Sequence, residues 1–178
     1  MRVITGICKG KRLFTPEGMD VRPTSDKVKE GLFSALQFDI EGRRILDLFA
    51  GSGQLSIEAL SRGAESAVLV DNSSASIKVI KKNIELCSLE EKTKVFNMDY
   101  SSFCAMSRDT FDIAFLDPPY HEGVLENALK SVLPLMSDYG LIVCEHPPVV
   151  ELPSEIGGFN VLKTYSYGKI NLTVYRKG

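Results

Sequence analysis

Short apolar runs recur along this chain: Ile45-Leu46 ahead of Asp47, Ala67-Val68-Leu69-Val70, Val95-Phe96, Phe111 to Leu116, and Leu141-Ile142-Val143-Cys144. Between them apolar positions fall three or four apart, as at Ile77, Ile80 and Ile84. Continuous runs suit strands buried on both faces, and the three-and-four spacing marks one face of a helix. The order predicts alternating β and α units from 43 to 146, with a long helix near 74 to 87. Ahead of them a β-hairpin is expected over about 2 to 14, then a helix over about 25 to 37 with Thr24 or Ser25 as cap and Asp26 in its first turn. Behind them, Val161 to Ser166 and Ile170 to Tyr175 flank Tyr167-Gly168-Lys169 and read as an antiparallel hairpin. The expected architecture is α/β: a mostly parallel, doubly wound sheet with its ligand at the carboxyl ends of the strands, near the point where strand order reverses.

Chemistry is concentrated at those strand ends. Arg44 to Gly53 reads as a strand running into a glycine-rich turn, continued as a helix by Leu55 to Leu60. Glycines 51 and 53 let backbone approach a ligand, and helix-start N–H groups point into the same space. A dinucleotide fingerprint would place a third glycine at 56, which is Ser56, and would not set Asp47 beside a pyrophosphate. S-adenosylmethionine fits better, because its sulfonium and amino group are attracted by an acid. The strand at 67 to 70 ends in Asp71, which can take both ribose hydroxyls. The run Lys94 to Met98 ends at Asp99-Tyr100, where an oxygen could accept from the adenine amino group; a helix N-cap is the plain alternative for Asp99. Phe49, Ala50, Ser52 and Asn72 complete the expected cofactor-binding set with Asp47, Gly51, Gly53, Asp71, Asp99 and Tyr100.

The fourth strand end is Asp117-Pro118-Pro119-Tyr120. Two prolines can neither continue a ladder nor start an ordinary helix, so they fix a rigid turn. The turn offers a carboxylate, a carbonyl and an aromatic face to a flat NH2-bearing group. An exocyclic amino nitrogen attacks carbon poorly because its lone pair is delocalised. Acceptance of its two hydrogens by Asp117 and the Pro118 carbonyl would push electron density onto nitrogen, while Tyr120 stacks on the base. A plain turn with a capping Asp is the alternative.

Composition adds context. The 178 residues, 44% hydrophobic, suffice for one domain with a real core. The four cysteines, Cys8, Cys87, Cys104 and Cys144, show no metal spacing and read as reduced thiols of a cytoplasmic protein. No signal core or membrane-length run is present. The net charge of −2 conceals an asymmetry. Residues 1 to 30 hold seven Lys/Arg against four Asp/Glu, and 163 to 178 hold four basic residues and no acid, which leaves the middle at −9. Basic ends on an acidic body suit a polyanion if the two ends meet in space. Nothing suggests a metal site or a Ser/His/Asp nucleophile. His121 reads as an exposed bystander, and His146 has no assignable partner.

Over nearly its full length the chain resembles the RsmD family of bacterial 16S ribosomal RNA (guanine-N2)-methyltransferases. The resemblance rests on Arg2-Val3-Ile4 through Gly10-Lys11-Arg12-Leu13, on Arg22 to Glu30 with Leu32-Phe33, on Leu46 to Gly53, on Glu58 to Ala64, on Asp117-Pro118-Pro119-Tyr120 and on Tyr167-Gly168. Ser25, Lys27 and Lys29 stand where the family has Thr and Arg, and Cys8 where an aromatic is common. The resemblance implies a Rossmann-like, seven-stranded sheet with a C-terminal antiparallel hairpin and a small N-terminal extension (1–40) on a catalytic core (41–178), all one domain. It also implies methylation of a guanine N2 with Asp117, Pro118, Pro119 and Tyr120 as catalytic residues. Lys9, Lys11, Arg12, Arg22, Thr24, Lys27 and Lys29 are then expected to face RNA, with Lys169 and Arg176 as further candidates at the other end of the chain. The implied partner is 16S RNA in an assembled or partly assembled small subunit, with the chain acting as a monomer. Rival readings are a DNA adenine-N6 or protein glutamine-N5 methyltransferase, which share the turn, or a nucleic-acid-binding domain without turnover.

Overall fold

A computed structural model describes residues 1–17, 25–121 and 123–178. The strands are β1 (Arg44–Asp47), β2 (Ser66–Asp71), β3 (Thr93–Asn97), β4 (Phe111–Leu116), β5 (Met136–His146), β6 (Glu155–Ile156), β7 (Phe159–Tyr167) and β8 (Ile170–Lys177). They form one sheet in the order β3-β2-β1-β4-β5-β8-β7-β6. The first five run parallel, and β8, β7 and β6 are antiparallel to their neighbours. The order reverses between β1 and β4, so a crevice opens at the carboxyl ends of those two strands.

Alternate residues of the central strands separate into two cores. Ile45, Leu69, Ile113, Phe115, Leu141 and Val143 join one with Phe33 of α1 (Asp26–Ala35), Ile57 of α2 (Gln54–Ser61) and Ile80 of α3 (Ser74–Cys87). Leu46, Val68, Val70, Ala114, Leu116, Ile142 and Cys144 join the other with Phe103 of α4 (Tyr100–Met106) and Leu129 of α5 (Val124–Val132). Burial on both faces explains why these strands read as unbroken apolar runs. The expected helix at 74 to 87 is α3, and Ser25 caps α1 by accepting from the Val28 N–H at 3.3 Å.

Two expectations need correction. The N-terminal hairpin reduces to a single antiparallel bridge, Arg2 to Arg12. Its ladder fails because the donors of residues 4, 5, 7 and 8 are spent elsewhere. Ile4 and Thr5 N–H groups go to the Glu58 carboxylate, at 2.9 and 3.0 Å, and Ile7 and Cys8 N–H groups go to Ser61 of α2. The chain still doubles back, with Val3 N–H donating to the Lys11 carbonyl at 2.9 Å. At the other end an eighth, two-residue strand, β6, edges the seven expected. It turns into β7 through Gly157 and Gly158, at φ 56° and 84°. A Gly-Gly pair supplies the positive φ values a tight hairpin turn requires, and that signal was there to be read.

Candidate active site

The glycine turn after β1 lies in the crevice. Gly51 and Gly53 take φ values of 57° and 78°, and the Gly53 N–H closes the turn on the Ala50 carbonyl at 2.7 Å. A Cβ at Gly51 would meet nothing within 4 Å, so only its backbone angle demands glycine there. The turn is held from two sides. Gly51 N–H donates to Asp71 Oδ2 at 2.8 Å, and the Asn83 side-chain amide donates to the Ser52 carbonyl at 2.9 Å. Asp71 Oδ1 accepts from Ser73 N–H at 2.8 Å, so the expected ribose ligand also splints the loop. A carboxylate has about four acceptor sites, which leaves capacity for hydroxyls.

Asp47 is buried, and its Oδ2 accepts from Ser56 Oγ at 3.1 Å. Burial, with the Asp71 charge adding to it, pushes its carboxyl up to about 7. Asp99 caps α4, its Oδ1 accepting from Ser101 N–H at 2.8 Å, and the Ser101 bonds hold its carboxyl below the usual range. The plain role weighed for Asp99 is therefore made. Phe49 and Tyr100 pack with ring centroids 5.1 Å apart across the ends of β1 and β3, while Asn72 is exposed beyond β2.

Asp117 directly follows β4. Continuing the strand alternation (45 and 47, 69 and 71, 115 and 117, 143 and 145) puts Asp71, Asp47, Asp117 and Glu145 on one face of four adjacent strands. The electrostatics agree with that placement. Asp117 is raised well above the ordinary carboxylate value, first by desolvation, then by Glu145 and Asp47. Pro118 is buried, Pro119 and His121 are exposed, and the His121 N–H donates to the Pro119 carbonyl at 2.7 Å, which tightens the turn. Tyr120, the last residue of the turn, is 58% exposed.

This donor set fits S-adenosylmethionine. A row of acids attracts a sulfonium and an amino group and repels phosphate. Gln54, buried at the first position of α2, has an Oε1 with no hydrogen-bond partner among the described residues, an acceptor suited to a polar ligand at the turn. Asp47, Gly51, Gly53, Asp71 and Gln54 would hold the cofactor.

The expected RNA-facing residues separate. Lys9, Arg12 and Lys27 are exposed, and Lys11 reaches the Leu86 carbonyl at 2.7 Å. Arg22 and Thr24, with Pro23, lie outside the described residues. Lys29 is fully buried, its ammonium bonded to the Arg2 carbonyl and 3.4 Å from Glu58, so it cannot face a phosphate here. Burial pulls its pKa down while the Glu58 charge pushes it back up. Arg176 pairs with Asp39 at 3.3 Å, beside Leu141 at the opening of β5's parallel segment and away from the acid row. Lys169, in the β7–β8 turn, lies at the site end, near His146.

Four participants escaped sequence reasoning: Gln54, Glu58, Asn83 and Glu145. Only Glu58 left a local trace, as half of an i,i+4 pair with Arg62 at 2.9 Å. His146, partnerless in the sequence, lies against Thr173 Oγ1 at 2.9 Å on the opposite sheet face. No group of metal-ligating side chains occurs among the described residues, and none of their helices is long and apolar enough to cross a membrane.

Residues 1–176 match the family model described as Conserved hypothetical protein 95. The Bacillus subtilis protein YlbH is 40% identical over 99% of both chains. Ribosomal RNA small subunit methyltransferase D of Escherichia coli K12 is 36% identical, covering 88% of this chain and 77% of its own. Among solved structures, the Escherichia coli protein yhhF superposes with a TM-score of 0.90 at 32% identity over 99% of this chain and 97% of its own. The Thermus thermophilus 16S rRNA N2 G1207 methyltransferase RsmC, solved with AdoMet and guanosine, shares the fold at 24% identity and a TM-score of 0.71, over 90% of this chain and 46% of that one.

Proposed function

We propose, for a chain that belongs to the Conserved hypothetical protein 95 family, which includes the small-subunit ribosomal RNA methyltransferases D, that its substrate atom is the N2 of a guanine in 16S ribosomal RNA. The chain is an S-adenosylmethionine-dependent methyltransferase of small-subunit ribosomal RNA. The observation that carries amino-group methylation is the Asp117-Pro118-Pro119-Tyr120 turn beside the acid row, at the point where strand order reverses, and the likeness to the small-subunit methyltransferases D supports ribosomal RNA over the DNA and protein rivals that share the turn.

When bound, the cofactor supplies a methyl group activated by its sulfonium. Asp117 and the Pro118 carbonyl accept the two N2 hydrogens, which localises the lone pair on nitrogen as positive charge develops. One N–H proton must leave as the methyl is gained, and Asp117 takes it. Its raised pKa makes the ionised carboxylate a stronger base. Tyr120 stacks on the base, which is turned out of its helix, a contact worth about 1–3 kcal/mol. Lys9, Arg12 and Lys27 neutralise RNA phosphates. The protein acts as one domain and as a cytoplasmic monomer on an assembled or partly assembled subunit; its four cysteines are free thiols.

The test supplies labelled cofactor with naked 16S RNA, protein-bound small subunits from a strain lacking the gene, DNA and a protein extract. The expected product is N2-methylguanine at one position of 16S RNA, mapped by nuclease digestion and mass spectrometry. Label on DNA adenine or protein glutamine would replace this reading with its rivals, and absence of cofactor affinity would leave a binding module.

A further inference from the structure

Phe14 belongs to neither core and is 53% exposed. A single exposed ring calls for no explanation in itself, but this one is fixed in place from both sides of its backbone. Its N–H donates to Asn83 Oδ1 at 2.8 Å, and the Asn83 amide returns a bond to its carbonyl at 3.0 Å while also holding the Ser52 carbonyl of the glycine turn. The Lys82 ammonium stands 5.9 Å from the ring centroid, within cation–π range.

The surroundings are cationic. Helix α3 carries Lys78, Lys81 and Lys82, all exposed, against one acid, Glu85, and Lys78 lies one turn from Lys82 on the same face. Lys11 reaches the end of the same helix at the Leu86 carbonyl, so residues 11 to 14 run along α3 from Leu86 toward Asn83. Because α3 follows β2, that direction leads to the carboxyl ends of the strands and the acid row. The helix start at Ser74 is about 12 Å from Lys82 along the axis, at the usual rise per residue. A cationic strip with an aromatic ring set into it is the combination that holds a single strand, since lysines follow the phosphates while the ring takes a base. Unpaired RNA is the form whose bases are free to stack in this way. Resting on the reading that the substrate is ribosomal RNA, we propose that Phe14 and Lys82 form a nucleotide-binding subsite, in which an unpaired base near the target stacks on the Phe14 ring and Lys82 pairs with a neighbouring phosphate. The subsite holds the RNA and takes no part in methyl transfer. It is indifferent to base identity, because every base offers a flat face.

The test measures RNA affinity as a function of salt, together with S-adenosylmethionine affinity, for wild type, Phe14→Ala, Phe14→Leu, Phe14→Tyr and Lys82→Ala. The RNA is supplied both as protein-free 16S RNA and as small subunits from a strain lacking the gene. Phe14→Ala should lose about five- to a hundredfold in RNA affinity with its salt slope unchanged, as expected for one lost base stack. Phe14→Tyr should bind as wild type does, whereas Phe14→Leu, apolar but without an aromatic face, should lose most of what Phe14→Ala loses. Lys82→Ala should flatten the slope by roughly 0.7, one phosphate contact on a single strand. Cofactor affinity should be unchanged in all four, which separates a lost RNA contact from damage to the glycine turn. Wild-type RNA affinity in Phe14→Ala or in Phe14→Leu would overturn the inference and leave ribosomal RNA methylation standing. A loss seen with subunits but not with protein-free RNA that the wild type binds would assign the ring to a ribosomal protein and overturn it equally. If the wild type binds subunits alone, ultraviolet crosslinking decides: the peptide carrying Phe14 should attach to a nucleotide, and crosslinks confined to other peptides count against the subsite. Failure of the wild type to methylate any RNA would overturn the functional reading and the inference with it. Should Phe14→Ala fail to fold, the comparison of Phe14→Leu with Phe14→Tyr decides, and equal affinities reject stacking.

Discussion

Glu58 and Asp47 are both buried carboxylates, and they have opposite company. The Glu58 carboxylate receives the N–H groups of Ile4 and Thr5, the Arg62 guanidinium at 2.9 Å and the Lys29 ammonium at 3.4 Å. Asp47 and Asp117 have acids for neighbours, and both are pushed upward. Where the fold surrounds a buried carboxylate with donors and cations, that residue ties segments together: here the N-terminal loop, α1 and α2. Where acids are neighbours, as at Asp47 and Asp117, each carboxyl is pushed upward, a cost in stability that a catalytic site carries.

The contrast can be broken most severely at Glu58. Glu58→Ala leaves Lys29 charged and unpaired in the core and should cost about 3–5 kcal/mol in chemical denaturation. A loss below 1 kcal/mol would show the cluster to be ornamental. Asp117→Ala should do the reverse, leaving the fold and cofactor affinity intact while single-turnover rate falls on the order of 10²–10³, or about 2.7–4 kcal/mol. Near-normal turnover would mean that Asp117 only shapes the turn.

A pH titration sharpens the comparison at Asp47. Its folded pKa of about 7 exceeds the ordinary value of 3.8, so the folded state binds a proton that the unfolded state has released. That contribution is fully present below pH 4 and is lost as pH rises through 7, by an amount on the order of a few kcal/mol. Melting of the apoprotein should show this fall, Asp47→Asn should flatten it, and saturating S-adenosylmethionine should reduce it if Asp47 faces the cofactor's cationic end. An identical pH profile in Asp47→Asn would remove Asp47 from the account. The smallest effect separates two lysines of one helix. Lys27→Ala should flatten the dependence of log RNA affinity on log salt by roughly 0.7–0.9, the counterion release of one phosphate contact. Stability should be untouched. Lys29→Met should alter stability without altering the slope, and the reverse pattern would contradict the burial described for Lys29.

How legible each region was follows from the same contrast. The strand-end acids were visible because each ends its own apolar run, so local pattern alone located Asp47, Asp71 and Asp117. The role of Lys29 was not visible, because burial there depends on Glu58, far along the chain, and on a loop that surrenders its ladder to α2. Composition read Lys29 as one more surface cation of a basic segment. Glu145 was hidden in another way: next to last in β5, it acquires meaning only from the β4–β5 register, which no local periodicity encodes. Asn83 reads as one polar position of an amphipathic helix until Phe14 and Ser52 are seen to share its amide.

The position of β8 bears on how the molecule assembles. It is last in chain order yet sits between β5 and β7, pairing Glu145 with Leu172 and His146 with Asn171. During synthesis β5 therefore keeps a bare edge until the closing hairpin is made, and the strand carrying Glu145 gains its second neighbour only then. Non-local pairings of this kind form late and leave unpaired edges exposed meanwhile. The half of the sheet carrying the glycine turn can order early, whereas the β5 side of the acid row waits for β8, so competence to methylate follows closure of the β7–β8 hairpin.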